Sequence, residues 1–139
     1  MSDVLSLQRV VLPSKSLPRP RFHYSPVVQV GPFVFVGGLV ALDASTGALI
    51  EGGTYLQARQ VLANLASLAK EMGWSLEQLL LVRIFCTDFA AFPEINRAWE
   101  EFFGDLTPPT RTFVGVLALP LGALVEMEFQ FVVPPAVPA

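Results

Sequence analysis

The sequence contains few of the residues from which metal centres and nucleophilic active sites are usually built. It has one cysteine, Cys86, and one histidine, His23. A single cysteine excludes an internal disulfide and a thiolate zinc site, and a single histidine excludes a multi-histidine metal centre. Cys86 lies in an apolar segment and His23 lies at the start of a predicted strand. We therefore interpret them as a core residue and a surface residue rather than as a nucleophile and its base.

Charged residues are also scarce. They make up 15% of the 139 residues, against 53% that are hydrophobic, and the net charge is −3. No basic run extends beyond Lys15, Arg19 and Arg21, so we expect no nucleic-acid partner. The apolar composition excludes a disordered chain. It also leaves a small domain with too few charges to cover its surface, which predicts burial in an oligomer.

Residues 22–42 contain no charged side chain and are numerous enough to cross a bilayer. Prolines and glycines interrupt this segment, and its apolar residues come in short β-branched runs, so we interpret it as two strands and a turn. The first twelve residues show no apolar signal-peptide region. Together with the few cysteines, these features predict a cytoplasmic protein that does not associate with membranes.

Hydrophobic periodicity predicts one α+β domain over residues 1–139, with the element order ββ-α-β-α-ββ. Residues 1–21 are expected to form an N-terminal strand and a proline-rich linker, and residues 134–139 a frayed tail. The first predicted helix ends at Gly73, and the second starts near Pro93 and ends at Gly104. The predicted strands cover residues 27–30, 33–36, 79–86, 112–116 and 124–133.

The last predicted strand alternates between apolar and acidic residues. Val125, Met127, Phe129 and Phe131 point to one face, and Glu126, Glu128 and Gln130 point to the other. The first strands are apolar on both faces, so the acidic face is not expected to be simply solvated. A subunit interface that encloses a polar pocket would explain this pattern.

Arg111 follows the proline-rich residues 107–110 and precedes an apolar segment with no charge until Glu126. A guanidinium at the start of a buried strand needs an anion or solvent, and its planar fork suits a carboxylate. Two interpretations stay open on physical grounds. Arg111 binds a ligand carboxylate, or it forms a structural ion pair with Glu126, provided that strands 112–116 and 124–133 are neighbours.

Short motifs occur in a fixed order along residues 24–133. The most specific are Pro109-Thr-Arg-Thr112, Leu119-Pro120 and Val125-Glu-Met-Glu128, preceded by Tyr24-Ser25-Pro26, Gly31-Pro-Phe-Val-Phe-Val36, Thr46-Gly47, Gln57-Ala-Arg59 and Phe85-Cys-Thr-Asp88. This ordered set resembles the Rid family, also called the YjgF family, of reactive-intermediate deaminases.

The resemblance implies a chorismate-mutase-like sandwich of the bacillus type, with a mixed sheet, two helices on one face, and a homotrimer with sites at the subunit clefts. It also implies hydrolysis of imines and enamines, such as 2-iminobutanoate and 2-aminoacrylate, to 2-keto acids and ammonia. No cofactor and no metal would be used. The partners would be a small imino or keto acid and two further copies of the chain.

Site residues follow by position. Arg111 matches the arginine that binds the substrate carboxylate, and Glu126 matches the acidic residue that positions water, so these two are the expected catalytic residues. Tyr24 matches a tyrosine that lines the pocket, and Asn96 matches an asparagine that we interpret as structural. Gly37, Leu39 and Phe113 complete the expected substrate-binding set.

Three of these positions differ from the best-known deaminases. Gly37-Gly38-Leu39 stands where they have Ser-Gly-Gln, and Phe113 stands in place of a cysteine. The site is therefore expected to be more apolar than theirs. A non-catalytic homologue that binds a small carboxylate ligand is the main alternative to a deaminase, and an endoribonuclease or a chaperone is a weaker one.

Overall fold

The fold consists of a six-stranded mixed sheet with two helices packed on one of its faces. The coordinates are a computed structural model that describes residues 8–134. The predicted tail therefore lies, apart from Pro134, outside the described residues. The α+β sandwich expected from the sequence is confirmed.

The helices and strands follow the predicted order. Their bounds are β1 Val10–Val11, β2 Val27–Val30, β3 Phe33–Val40, α1 Thr54–Met72, β4 Leu79–Cys86, α2 Phe92–Phe103, β5 Thr110–Gly115 and β6 Val125–Val132. The largest difference is in β3, which continues four residues past the predicted end. A β-bulge between Val36 and Leu39 lets the strand pass through two glycines and stay paired with β6.

The first helix ends and the second begins at residues that the sequence indicates as helix boundaries. Gly73 closes α1 in the left-handed conformation, with φ 74°, where a side chain would be strained. Ser75 and Gln78 form a capping box around the next short turn. Pro93 lies in the first turn of α2, where its missing N–H is not needed.

The strand order is β1-β2-β3-β6-β4-β5, and only the β4–β5 pair is parallel. The last strand of the chain therefore lies in the middle of the sheet, antiparallel to β3 and β4. The neighbour relation considered for Arg111 and Glu126 is wrong, because β5 pairs with β4 and not with β6. Arg111 lies beside Val82, and Glu126 lies beside Phe85.

The alternation of β6 is confirmed. Val125, Met127, Phe129 and Phe131 are at most 3% exposed beneath the helices, whereas Glu126, Glu128 and Gln130 lie on the opposite face. We call this opposite face the open face. It carries aromatic rings that a lone chain leaves in solvent, since Phe33 is 40% exposed and Phe35 is 42% exposed.

Two buried amides connect α1 to the loops around the sheet. Gln57 donates to the carbonyl of Ile50 at 3.1 Å and accepts from the backbone N–H of Leu124 at 2.9 Å. Asn64 donates to the carbonyl of Leu42 at 2.9 Å. Gln57 therefore holds the chain at the point where it enters β6, only two residues before Glu126.

We expect Gln57→Leu to destabilise the protein by about 2–4 kcal/mol, because it leaves a buried N–H and a buried carbonyl without partners. Gln60→Leu on the same helix is the matched control. Its amide makes one hydrogen bond, to the Asn64 side chain, and its loss should cost less than about 1 kcal/mol. Urea unfolding of both variants at equal protein concentration measures the difference, and equal losses would contradict the role of Gln57.

Candidate functional site

A pocket of about 260 Å³ opens where β3, β6 and the segment before β2 meet. Glu126 projects into it from β6, and Tyr24 projects into it from the segment before β2. Apart from these two and Arg21, the lining is glycine or apolar: Phe22, Gly37, Gly38, Val40, Leu42, Pro120 and Leu121. We call this the Glu126 pocket.

The two glycines of the β3 bulge shape the pocket in different ways. A Cβ atom on Gly38 would lie 3.0 Å from Oε2 of Glu126, so the carboxylate packs directly against this residue. A Cβ atom on Gly37 would meet nothing within 4 Å. Gly38 is therefore required for the position of the carboxylate, whereas Gly37 leaves open space in the pocket.

The surroundings of the pocket raise the pKa of its two titratable acids, Glu126 and Tyr24. Burial raises the pKa of Glu126, and the neighbouring carboxylate of Glu128 raises it further. Burial also raises the pKa of Tyr24, and the charge of Glu126 adds to that effect. Within residues 8–134, no hydrogen bond or ion pair reaches the Glu126 carboxylate, which leaves it free to bind water or substrate.

Arg111 lies on the helix side of the sheet, in the edge strand β5. Its Nη1 donates to Oδ1 of Asn96 at 2.9 Å. The guanidinium carbon lies 5.0 Å from the ring centre of Trp99, 5.6 Å from that of Phe92 and 5.7 Å from that of Phe113. Burial lowers the pKa of Arg111 and the charge of Glu100 opposes this shift, but an arginine remains cationic.

The Asn96 contact and the three rings hold the guanidinium in one orientation. A guanidinium has five N–H donors, and Asn96 is the hydrogen-bond acceptor for Arg111 within the described part of the chain. A second pocket of about 310 Å³ borders Arg111, between the end of α2 and the loop before β5. A carboxylate that enters from this side would meet the guanidinium N–H groups that Asn96 does not occupy, and also the carboxylate of Glu100.

The expected site residues fall into two groups within one chain. Tyr24, Gly37 and Glu126 share the Glu126 pocket, whereas Arg111 and Phe113 lie together at the β5 edge. Leu39 belongs to neither group, because its side chain is 9% exposed and packs in the core.

The structural ion pair between Arg111 and Glu126 does not form within the chain. Among residues 8–134 the salt bridge is between Arg83 and Glu128, at 3.1 Å on the open face. With two strand spacings and three residues of offset between them, the Arg111 and Glu126 backbones are on the order of 14 Å apart, on opposite faces of the sheet.

Two residues near the site have a contact or a conformation that the sequence did not indicate. The structural role predicted for Asn96 takes a specific form, because its side chain accepts a hydrogen bond from Arg111 and orients the guanidinium. Leu121 lines the Glu126 pocket with φ 62°, a left-handed conformation that is strained for leucine. The only sequence signal for Leu121 is its position between Pro120 and Gly122, which predicts a turn and not its conformation.

Neither of the two residues set aside as nucleophiles lines the Glu126 pocket or the pocket beside Arg111. His23 is exposed, and Cys86 is fully buried in the core. No group of three or more His, Cys, Asp or Glu residues within 8–134 has the geometry to hold a metal ion. In the same part of the chain, neither helix is long and apolar enough to span a membrane.

Comparison with known proteins gives consistent results. The family model for Endoribonuclease L-PSP matches residues 14–133. A RutC family protein of Pyrococcus abyssi is 32% identical over 122 residues, covering 88% of this chain and 95% of the relative. The mouse 2-iminobutanoate/2-iminopropanoate deaminase is 33% identical over 124 residues, covering 88% of this chain and 90% of the relative.

Solved structures share the fold. YyfA of Yersinia pestis, described as a Rid-family protein of unknown function, superposes with a TM-score of 0.85 at 28% identity, covering 91% of this chain and all of YyfA. Escherichia coli TdcF with bound serine superposes with a TM-score of 0.82 at 28% identity, covering 88% of this chain and 98% of TdcF. The fold, the ordered motifs and the matched length together place this chain in the Endoribonuclease L-PSP family, also known as the Rid, YjgF or RutC family.

Proposed function

We propose that this protein hydrolyses reactive imines and enamines of the 2-iminobutanoate and 2-aminoacrylate type to 2-keto acids and ammonia. The observation that carries the proposal is the half-buried carboxylate of Glu126 in an apolar pocket beside Tyr24, with no hydrogen-bond or ion-pair partner among residues 8–134. The names of the mouse and Dermatophagoides farinae relatives, both 2-iminobutanoate/2-iminopropanoate deaminases, support the same activity.

The active site in this proposal lies between subunits of a homotrimer. One chain holds Arg111 and Glu126 on opposite faces of its sheet, so a small imino acid cannot contact both within that chain. A cyclic trimer joins different surfaces of neighbouring copies. The Arg111 edge of one subunit would meet the Glu126 pocket of the next, and the aromatic open face would be buried at the same time.

The reaction then needs few groups. Arg111 holds the substrate carboxylate, and a water beside Glu126 of the partner subunit attacks the iminium carbon. The proton of that water passes to the Glu126 carboxylate and is returned to the nitrogen of the tetrahedral intermediate. The C–N bond breaks, nitrogen leaves as ammonia, and the hydroxyl oxygen becomes the keto oxygen as its proton passes to the Glu126 carboxylate. An enamine enters the same sequence after it takes a proton from solvent at its β-carbon and becomes the iminium. Positioning of the Arg111 charge and of the water supplies the acceleration.

A non-catalytic carboxylate-binding protein is the second candidate. Gly37 lacks a hydroxyl at a pocket position where the best-known deaminases have serine, which favours this alternative. A coupled assay separates the two. Threonine dehydratase produces 2-iminobutanoate, and a deaminase accelerates the appearance of 2-ketobutanoate, whereas a binder leaves its rate unchanged.

We expect Arg111→Ala to lower kcat/KM by about 10²-fold or more, because a buried arginine–carboxylate contact contributes about 2–5 kcal/mol when one partner is removed. Arg111→Lys should recover only part of the activity, since an ammonium cannot form the two parallel bonds of the guanidinium. Both variants should remain trimers in light scattering. A trimeric Arg111→Ala variant with near-normal turnover would exclude Arg111 from the site.

We expect Glu126→Gln to lower kcat/KM by about 10²-fold while leaving the fold intact. The carboxylate must be ionised to take a proton, and its pKa is raised, so the acid limb of the wild-type pH profile should lie above the usual range of a glutamate. The variant should lose this limb. At neutral pH it should be no less stable, because it removes a charge that burial disfavours. An unchanged limb would contradict the role of Glu126.

Co-expression of Arg111→Ala and Glu126→Gln chains with different tags tests the composite site. Trimers purified on both tags contain both chains, and each ring then has one interface with an intact Arg111 and an intact Glu126. We expect about one third of the wild-type activity and a mass three times the 15.1 kDa of one chain. Two tagged copies of Arg111→Ala serve as the inactive control. No recovery in mixed trimers would contradict a site shared between subunits.

A further inference from the structure

We propose that the Glu126 pocket is the subsite for the substrate side chain and that it selects imino acids with long aliphatic or aromatic side chains. The inference rests on the proposed function, since it assigns the space beside the reacting carbon. It extends that function from the small imines named above to a different substrate class and to a different source of the substrate.

The size of the pocket favours a large side chain. Its volume of about 260 Å³ corresponds to about eight or nine water molecules in the liquid. The methyl of 2-iminopropanoate and the ethyl of 2-iminobutanoate would leave most of this space to water held against apolar walls. A butyl, isobutyl or benzyl group would displace that water and bury apolar surface, which favours binding.

The chemistry of the walls agrees with this assignment. Phe22, Val40, Leu42 and Leu121 surround the space beside the Glu126 carboxylate. Arg21 is the basic residue at the rim, but its guanidinium donates to the carbonyl of Gly47. Leu121 adopts a strained left-handed backbone while its side chain lines the pocket. Such strain persists where the surrounding structure holds it in place, and here it supplies an apolar wall at the functional site.

Gly37 leaves space open beside the pocket walls. It borders the pocket, and a Cβ atom built on it meets nothing within 4 Å. Its φ lies outside the left-handed region, so a side chain could be accommodated there and would point into empty volume. Gly37 also borders a neighbouring pocket beside Phe35 and Arg83, so the effect of Gly37→Val given below determines into which of the two pockets a side chain at position 37 points.

This side-chain preference restricts how the substrate can be formed. Dehydratases form imines by eliminating water from amino acids with a β-hydroxyl, and they yield the small imines. An aliphatic or aromatic side chain without such a leaving group requires removal of a hydride from Cα and a proton from nitrogen. A flavin-dependent amino-acid oxidation performs this step, with the flavin as hydride acceptor. We therefore place this protein after an oxidation rather than after a dehydration.

The test uses an L-amino-acid oxidase together with catalase, because this single enzyme forms all of the imines that are compared. The imines of 2-aminobutanoate, norvaline, norleucine and phenylalanine are produced in the presence of semicarbazide, which traps whatever the protein does not hydrolyse. We expect kcat/KM to rise about fourfold per added methylene, or about 16-fold from the ethyl to the butyl side chain. Phenylalanine should rank with norleucine.

The outcomes separate this inference from the proposed function. Hydrolysis of none of the imines would overturn the proposed function. A kcat/KM that stays constant or falls as the substrate side chain lengthens would overturn the side-chain subsite alone. The same result is expected if a partner subunit fills the pocket.

Two variants connect the preference to the pocket. Gly37→Val fills the open volume, and the norleucine to 2-aminobutanoate ratio of kcat/KM should fall at least about tenfold. Leu121→Gly removes a wall and relieves the left-handed strain, so the ratio should fall about fourfold or more without loss of stability in urea. Leu117→Gly changes a fully exposed leucine and should leave the ratio unchanged. An unaltered ratio in Leu121→Gly would overturn the assignment.

Discussion

The central strand β6 is the constraint on which the rest of the structure depends. Its alternating side chains place Met127 and Phe129 in the core and Glu126 and Glu128 on the open face. Both helices pack over the apolar side, so the acidic side remains for contacts outside the chain. Gln57 holds the backbone at the entrance to β6, and Gly38 in the adjacent strand makes room for the Glu126 carboxylate. Core packing and site geometry therefore depend on the same strand.

The two charges expected to act together are separated by the sheet itself. Arg111 is held by Asn96 and three aromatic rings on the helix side, while Glu126 lies half-buried on the other side with no partner in the described residues. A desolvated charge without a counter-charge is unfavourable. The proposed trimer would give each charge a neighbour. Stability and activity would then be coupled through assembly.

Two of the three differences from the best-known deaminases, Gly37 and Phe113, make the candidate site more apolar, whereas Leu39 packs in the core. Phe113 adds a ring to the aromatic contacts around Arg111. Gly37 leaves empty space beside apolar walls where those deaminases have a serine hydroxyl. Neither change alters Arg111 or Glu126, the two residues of the proposed reaction. In the proposed reaction the two changes alter the surroundings of the reacting carbon, which is where substrate selection is expected.

Local patterns determined the elements of this protein, and tertiary pairing decided the site. The spacing of apolar residues and the glycine at 73 predict α1, and the alternation after Leu124 predicts both faces of β6, because these signals act over a few residues. The insertion of β6 between β3 and β4 depends on long-range pairing, so the sequence did not reveal that Arg111 and Glu126 lie on opposite faces. The burial of Leu39 follows from the β-bulge in β3, and the left-handed backbone of Leu121 follows from the turn between Pro120 and Gly122. The geometry of both features is imposed only when the sheet packs.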